Sequence, residues 1–142
     1  RLMLSNLSDM TFTLINQITA DGTQKWIKHR LKNCGKREGI YDKSSGQMFY
    51  RAGTWTAYIK DWEKYTPPAE YSGEENRYTV NVGDVLIFAD ITDAAPTDFK
   101  GFNALRDKYK NCGGIVTGVE VYINYKPDGT PWKTNHVEVI RA

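Results

Sequence analysis

The chain has 142 residues, of which 40% are hydrophobic and 25% charged, and its net charge is +2. A chain of that length buries about two thirds of its unfolded surface, which excludes a disordered segment and a disulfide-dependent miniprotein. No run approaches the roughly 18 apolar residues of a membrane span and Arg1 to Leu7 lacks the apolar centre of a secretion signal, so one soluble domain over 1–142, made in the cytoplasm and without a membrane partner, is expected.

Met10 to Gln17 sets Phe12, Leu14 and Asn16 on one face against Thr11, Thr13 and Ile15 on the other, the period of a strand. Ala20-Asp21-Gly22 supplies a hairpin turn, and Thr23 to Leu31 returns with Trp26 and the cations Lys25, Lys28 and Arg30. Gly39 to Ser45 and Gln47 to Ile59 carry Tyr41, Met48, Phe49, Tyr50, Trp55, Tyr58 and Ile59, which suit a pleated surface. Pro67-Pro68, Ser72-Gly73 and Glu74-Glu75 break any period across 61–77, leaving a long loop that holds Trp62, Tyr65 and Tyr71. A loop longer than about 12 residues inside a compact domain is usually functional or disordered, and its aromatics favour a partner-contacting role.

Tyr78 to Phe88 reads as two apolar runs around a Gly83-Asp84 corner, with Gly83 free to take positive φ and Asp84 placed to bond backbone N–H groups two residues on. Val85 to Ile91 is then a buried strand. A short helix follows over 96–109, capped by Thr97, with Phe99, Phe102, Leu105 and Tyr109 on one face. After Gly113-Gly114, Ile115 to Tyr125 alternates again, Lys126 to Thr130 turns the chain, and Trp132 to Arg141 closes a last hairpin. The fold class is all-β: a small β-barrel or sandwich of about six or seven strands with one short helix and a long loop.

Catalytic equipment is sparse. Cys34 and Cys112 each sit in Lys-Asn-Cys-Gly, and without an export signal they are expected as reduced, buried thiols. Structural zinc takes four ligands, and Cys34, Cys112, His29 and His136 show no paired spacing. Both histidines read as surface or edge residues. Asp90 and Asp93 are a weak acid-base or cation pair, and Asp93 more simply caps the approach to the helix. No enzyme, cofactor or metal is expected.

Charge placement is more informative. Lys25, Lys28, Arg30, Lys32, Lys36 and Arg37 fall in one stretch with His29 and no acid, whereas 61–98 holds nine acids against Lys64 and Arg77. Two solvated faces are the simple account. Head-to-tail stacking is the other, because complementary patches of that kind close into rings.

Taken in order, several segments resemble the small head-tail joining proteins of long-tailed bacteriophages, of the neck, head-closure or stopper type. They are Ser8 to Phe12 opening a strand, Tyr78 to Ile87, Asp90-Ile91-Thr92-Asp93, a helix ending Leu105 to Tyr109, Ile115 to Val119, and His136-Val137-Glu138-Val139. The resemblance spans most of the chain, although Tyr41 to Tyr71 is longer and more aromatic than the family pattern. It implies a virion protein that forms a homo-oligomeric ring, hexamer or dodecamer, between the portal or adaptor and the tail proteins, helping to retain or gate the genomic DNA in its channel. It further implies that Lys25, Lys28, Arg30, Lys32, Trp62, Tyr65, Glu70, Tyr71, Glu74 and Glu75 serve a subunit interface or the DNA channel. The alternative is an OB-like single-stranded nucleic-acid-binding protein with Trp26, Tyr41, Tyr50 and Trp55 as stacking platforms. A small enzyme gathering His29 or His136 with Asp90 and Asp93, or a carbohydrate-binding module using the many aromatics, completes the range.

Overall fold

The computed structural model describes residues 9–38, 40–42, 47–49 and 53–142. Ser8, Gly39, Ser45 and Tyr50, which entered the expectations above, lie outside the described residues. Strands β1 (Met10–Ala20), β2 (Thr23–Glu38), β3 (Ile40–Asp42), β4 (Gln47–Phe49), β5 (Trp55–Ile59) and β6 (Val85–Ile87) precede helix α1 (Phe99–Lys108). Strands β7 (Gly113–Ile115), β8 (Gly118–Tyr122) and β9 (His136–Arg141) follow it. Seven strands form one antiparallel sheet in the order β7-β6-β1-β2-β5-β9-β8, and β3 and β4 make a separate hairpin. The all-β expectation, with one short helix among the described residues, is what the chain adopts.

Local chemistry explains how the sheet curls. Asp21 and Gly22 both take positive φ (53° and 74°), the requirement of a two-residue turn whose twist matches the strands it joins. Further along β2 the pairing register with β1 slips between Leu31 and Cys34, and Asn33 takes φ 58°. This bulge bends the strand, so that Thr23 to Leu31 pairs with β1 while Cys34 to Glu38 pairs with β5. At the far ends, β7 pairs with β6 and β8 with β9, yet only Val116 and Thr117 separate β7 from β8. Val116 N–H bonds the Asp84 carbonyl at 2.8 Å and Thr117 N–H bonds the Ile140 carbonyl at 2.8 Å. The half-barrel's two edges are therefore consecutive stretches of one run.

The concave face buries Phe12, Leu14, Leu31, Cys34, Trp55, Ala57, Ile59, Leu86, Val116, Val137 and Val139, and the segment after β5 closes over them with Tyr78 and Val80. The convex face carries a second core, Ile15, Trp26, Val85, Ile87 and Ile91, under Phe102 and Leu105 of α1. Burying each of those two helix side chains stabilises the docked helix by roughly 2 kcal/mol. Both faces of β1 are thus covered, which is why Thr13 and Ile15 are as buried as Phe12 and Leu14.

Several details differ from the sequence expectation. Strand β6 stops at Ile87 because the Thr13 hydroxyl takes over the ladder, donating to the Ala89 carbonyl at 2.7 Å and accepting Ile91 N–H at 3.2 Å. The helix begins at Phe99, capped by Asp98, whose carboxylate accepts Gly101 N–H at 2.7 Å. A carboxylate outcompetes the neighbouring Thr97 at the positive end of the helix dipole. Asp93 lies at the other end of the helix, paired with Lys108 at 2.7 Å and accepting from the Tyr109 hydroxyl. Gly83 has the expected positive φ (98°), but Asp84 reaches backwards, accepting Asn81 N–H at 2.9 Å and, across the sheet, Gln17 N–H at 2.9 Å.

Candidate assembly surface

The segment 61–77 is an ordered loop. A 3₁₀ turn over Trp62–Lys64 leads to Tyr65, which bridges to Tyr78 and closes the loop at its base. Thr66 N–H bonds the Tyr78 carbonyl at 2.8 Å and Tyr78 N–H bonds the Lys64 carbonyl at 3.0 Å. Arg77 ties the two arms, its Nε donating to Thr66 Oγ1 at 2.7 Å and its Nη2 to the Tyr65 carbonyl at 3.2 Å. Trp62 and Tyr65 are half-buried against the concave core.

Tyr71 turns inward from the loop's middle, only 9% exposed, to meet His29 on β2. Its hydroxyl donates to the Glu74 carbonyl at 2.7 Å, and His29 Nε2 lies 3.0 Å from the same oxygen. The imidazole tautomer sets which of the two groups donates in that second bond. Burial holds the His29 imidazole well below its ordinary range, at about 4, and so neutral; a bond to the Glu75 backbone opposes this weakly. The expectation that His29 is a surface or edge residue is corrected: it is 5% exposed and anchors the loop. Sequence offered no sign, because its partner arrives from 42 positions downstream.

Around this anchor Glu70, Glu74 and Glu75 are exposed. Glu74 accepts a hydrogen bond from the Ser72 hydroxyl, which holds its carboxyl below the usual range. The loop thus presents acids on a frame fixed by a buried tyrosine.

The basic strand is partly neutralised within the chain. Arg30 Nε pairs with Asp90 at 2.7 Å, and Lys28 Nζ donates to the Ile91 and Asp93 carbonyls at 2.9 and 2.7 Å. Lys36 pairs with Glu38 at 2.9 Å. Lys25 and Lys32 stand exposed, Lys32 beside the bulge. Asp90 and Asp93 therefore engage different cations and do not converge, and among the described residues no group of three or more His, Cys, Asp or Glu is placed to hold a metal ion.

A further exposed surface is aromatic. On the hairpin linking β8 and β9, Tyr125 is 58% and Trp132 48% exposed, with Lys126 Nζ 5.4 Å above the Trp132 ring. The Trp62 ring meets Tyr125 edge-on at 6.2 Å, joining this hairpin to the base of the acidic loop. The alternation across Ile115 to Tyr125 predicts a strand with a turn after it, and nothing local tells an exposed Tyr or Trp from a buried one.

Trp26 and Trp55, two of the proposed stacking platforms, are core residues at 7% and 2% exposure. The side chains of Tyr41 and Tyr50 lie outside the described residues. Cys34 belongs to the concave core and Cys112 packs beside the convex one; both are free, and burial pushes the Cys34 thiol up to about 12. His136 is half-buried, stacked on Tyr122 at 4.9 Å with Nε2 2.9 Å from Glu138. It lies on the β8–β9 pair, away from the buried His29, so the histidines and the two aspartates form no common site. No family model, curated protein or solved structure matches this chain.

Proposed function

We propose that this protein is a structural component of a tailed-bacteriophage virion, a head-tail joining protein of the head-closure type that assembles as a ring in the neck, between portal and tail. The observation that carries this reading is the braced acidic loop: Glu70, Glu74 and Glu75 are held outward by a tyrosine that spends its hydroxyl on the loop's own backbone and on His29. A loop meant to move would not bury its central side chain. A fixed negative rim suits a channel through which DNA slides, because it repels phosphates and prevents adhesion. The exposed Tyr125 and Trp132, and the unburied cations Lys25 and Lys32, supply contact chemistry for neighbouring subunits.

Sedimentation velocity from about 50 to about 500 mM salt tests the reading, since contacts between exposed charges weaken as the Debye length shrinks. Assembly at low salt, loosened at high salt and impaired by Glu74→Lys with Glu75→Lys, is expected, as is capture by a portal ring. A salt-indifferent monomer without portal affinity overturns it.

A further inference from the structure

On the far side of the sheet seam, α1, the β7 turn and the end of β9 enclose a cleft of about 360 Å³ lined by Gly53, Arg106, Asp107, Lys110, Gly113, Gly114, Ile115 and Arg141. Three of those residues are cations and one is an acid. We infer that this cleft is a binding site for a phosphate group, whether a phosphodiester of a nucleic-acid backbone or a free phosphate anion.

Three features converge on that ligand. The first is uncompensated charge. The ion pairs among the described residues engage Arg30, Lys36, Lys64, Lys108 and His136, and none of them takes Arg106, Lys110 or Arg141. Packing three cations around one hollow is unfavourable unless water or an anion screens them.

The second is a positioned guanidinium. Arg141 Nη1 donates to the Ile115 carbonyl at 3.1 Å, which fixes the group while using one of its five N–H donors. A planar fork held in place from behind is the arrangement that recognises phosphate oxygens in pairs.

The third is the floor. A Cβ on Gly114 would meet Arg141 Cδ at 3.2 Å and Nε at 3.4 Å, so the missing side chain is what lets the guanidinium lie across the strand. Gly113 is equally bare, and together they leave backbone close to the hollow. The site shares no residue with the acidic loop, and it stands whether or not the ring reading does.

The test uses the full chain with two probes, inorganic phosphate and a short DNA duplex, followed by NMR amide shifts and fluorescence anisotropy. Perturbation of the Arg106, Lys110, Gly114 and Ile115 amides by either probe is expected. Arg106→Gln with Lys110→Gln, which leaves the seam contact of Arg141 intact, should weaken duplex binding at least tenfold. It should also lower the slope of log K against log salt by about 1.8, from about 0.9 per contact. Arg141→Gln, which removes a single contact, should lower the slope by about 0.9, with thermal melting reporting any loss of fold. Duplex binding competed by phosphate assigns the cleft to a nucleic-acid backbone, and phosphate binding alone assigns it to a free anion; both support the site. Absence of both bindings in the wild type, or an Arg106/Lys110 variant that binds like wild type, overturns it.

Discussion

Two buried titratable groups pull stability in opposite directions as the solution is acidified, and separating them is a demanding check on the structure. His29 is neutral in the fold, with its pKa lowered by burial to about 4 against an ordinary 6.5. Its contribution is complete above pH 6.5 and lost as pH falls through the window down to 4, because the unfolded chain protonates first. Two and a half units at about 1.4 kcal/mol each come to roughly 3 kcal/mol. Asp84 is 1% exposed, and burial pushes its carboxyl from 3.8 up to about 6, despite the bonds from Gln17, Asn81 and Asn16. Here the folded state holds the proton more tightly, so stability is complete below pH 3.8 and lost as pH rises through 6; this also amounts to roughly 3 kcal/mol. Between pH 6 and 4 the two nearly cancel. Urea denaturation of the wild type should therefore give a shallow pH dependence there. His29→Gln, whose amide still reaches the Tyr71 hydroxyl, should become more stable on acidification, whereas Asp84→Asn should become less stable. Identical slopes for wild type and His29→Gln would refute the neutral, buried imidazole.

Tyr71→Phe keeps the ring but removes the hydroxyl that bonds the Glu74 carbonyl and meets His29 Nε2, so a loss of about 2 kcal/mol is expected, roughly 7 °C in Tm for a chain of this size. Hydrogen exchange should quicken at Tyr71 to Arg77 and not in β1. Gly113→Ala should cost about 3 kcal/mol or more, because φ is 126° and the new Cβ would sit 2.0 Å from the Leu86 carbonyl oxygen; a melt within 1 °C of wild type would contradict the seam geometry. Tyr125→Ala with Trp132→Ala should leave denaturation within about 1 kcal/mol of wild type, yet weaken self-association at least tenfold by sedimentation.

Features written in neighbouring residues were legible in the sequence. Asp21-Gly22 determines its own turn, Gly83 its positive φ, and Phe102 and Leu105 their helix face, since each depends on positions a few residues apart. Illegible features come from distant chain. Nothing near His29 announces Tyr71, and the Lys-Asn-Cys-Gly repeat suggests a pair of related sites where the fold makes a bulge at Asn33 and a helix exit before Cys112. Thr13 illustrates the same limit: alternation places it opposite Phe12, but only the packed helix and the Ala89–Ile91 segment explain why a polar residue there is fully buried. Pairing within one chain was equally illegible: Arg30 and Asp90 meet from 60 positions apart.

The run 113–122 has a consequence for crowding. Because β7 and β8 are only three and five residues long and belong to one continuous stretch, the seam between them offers a newcomer strand only a short ladder to copy. At that seam neighbouring copies meet side chain to side chain, with little backbone on which to template a fibre.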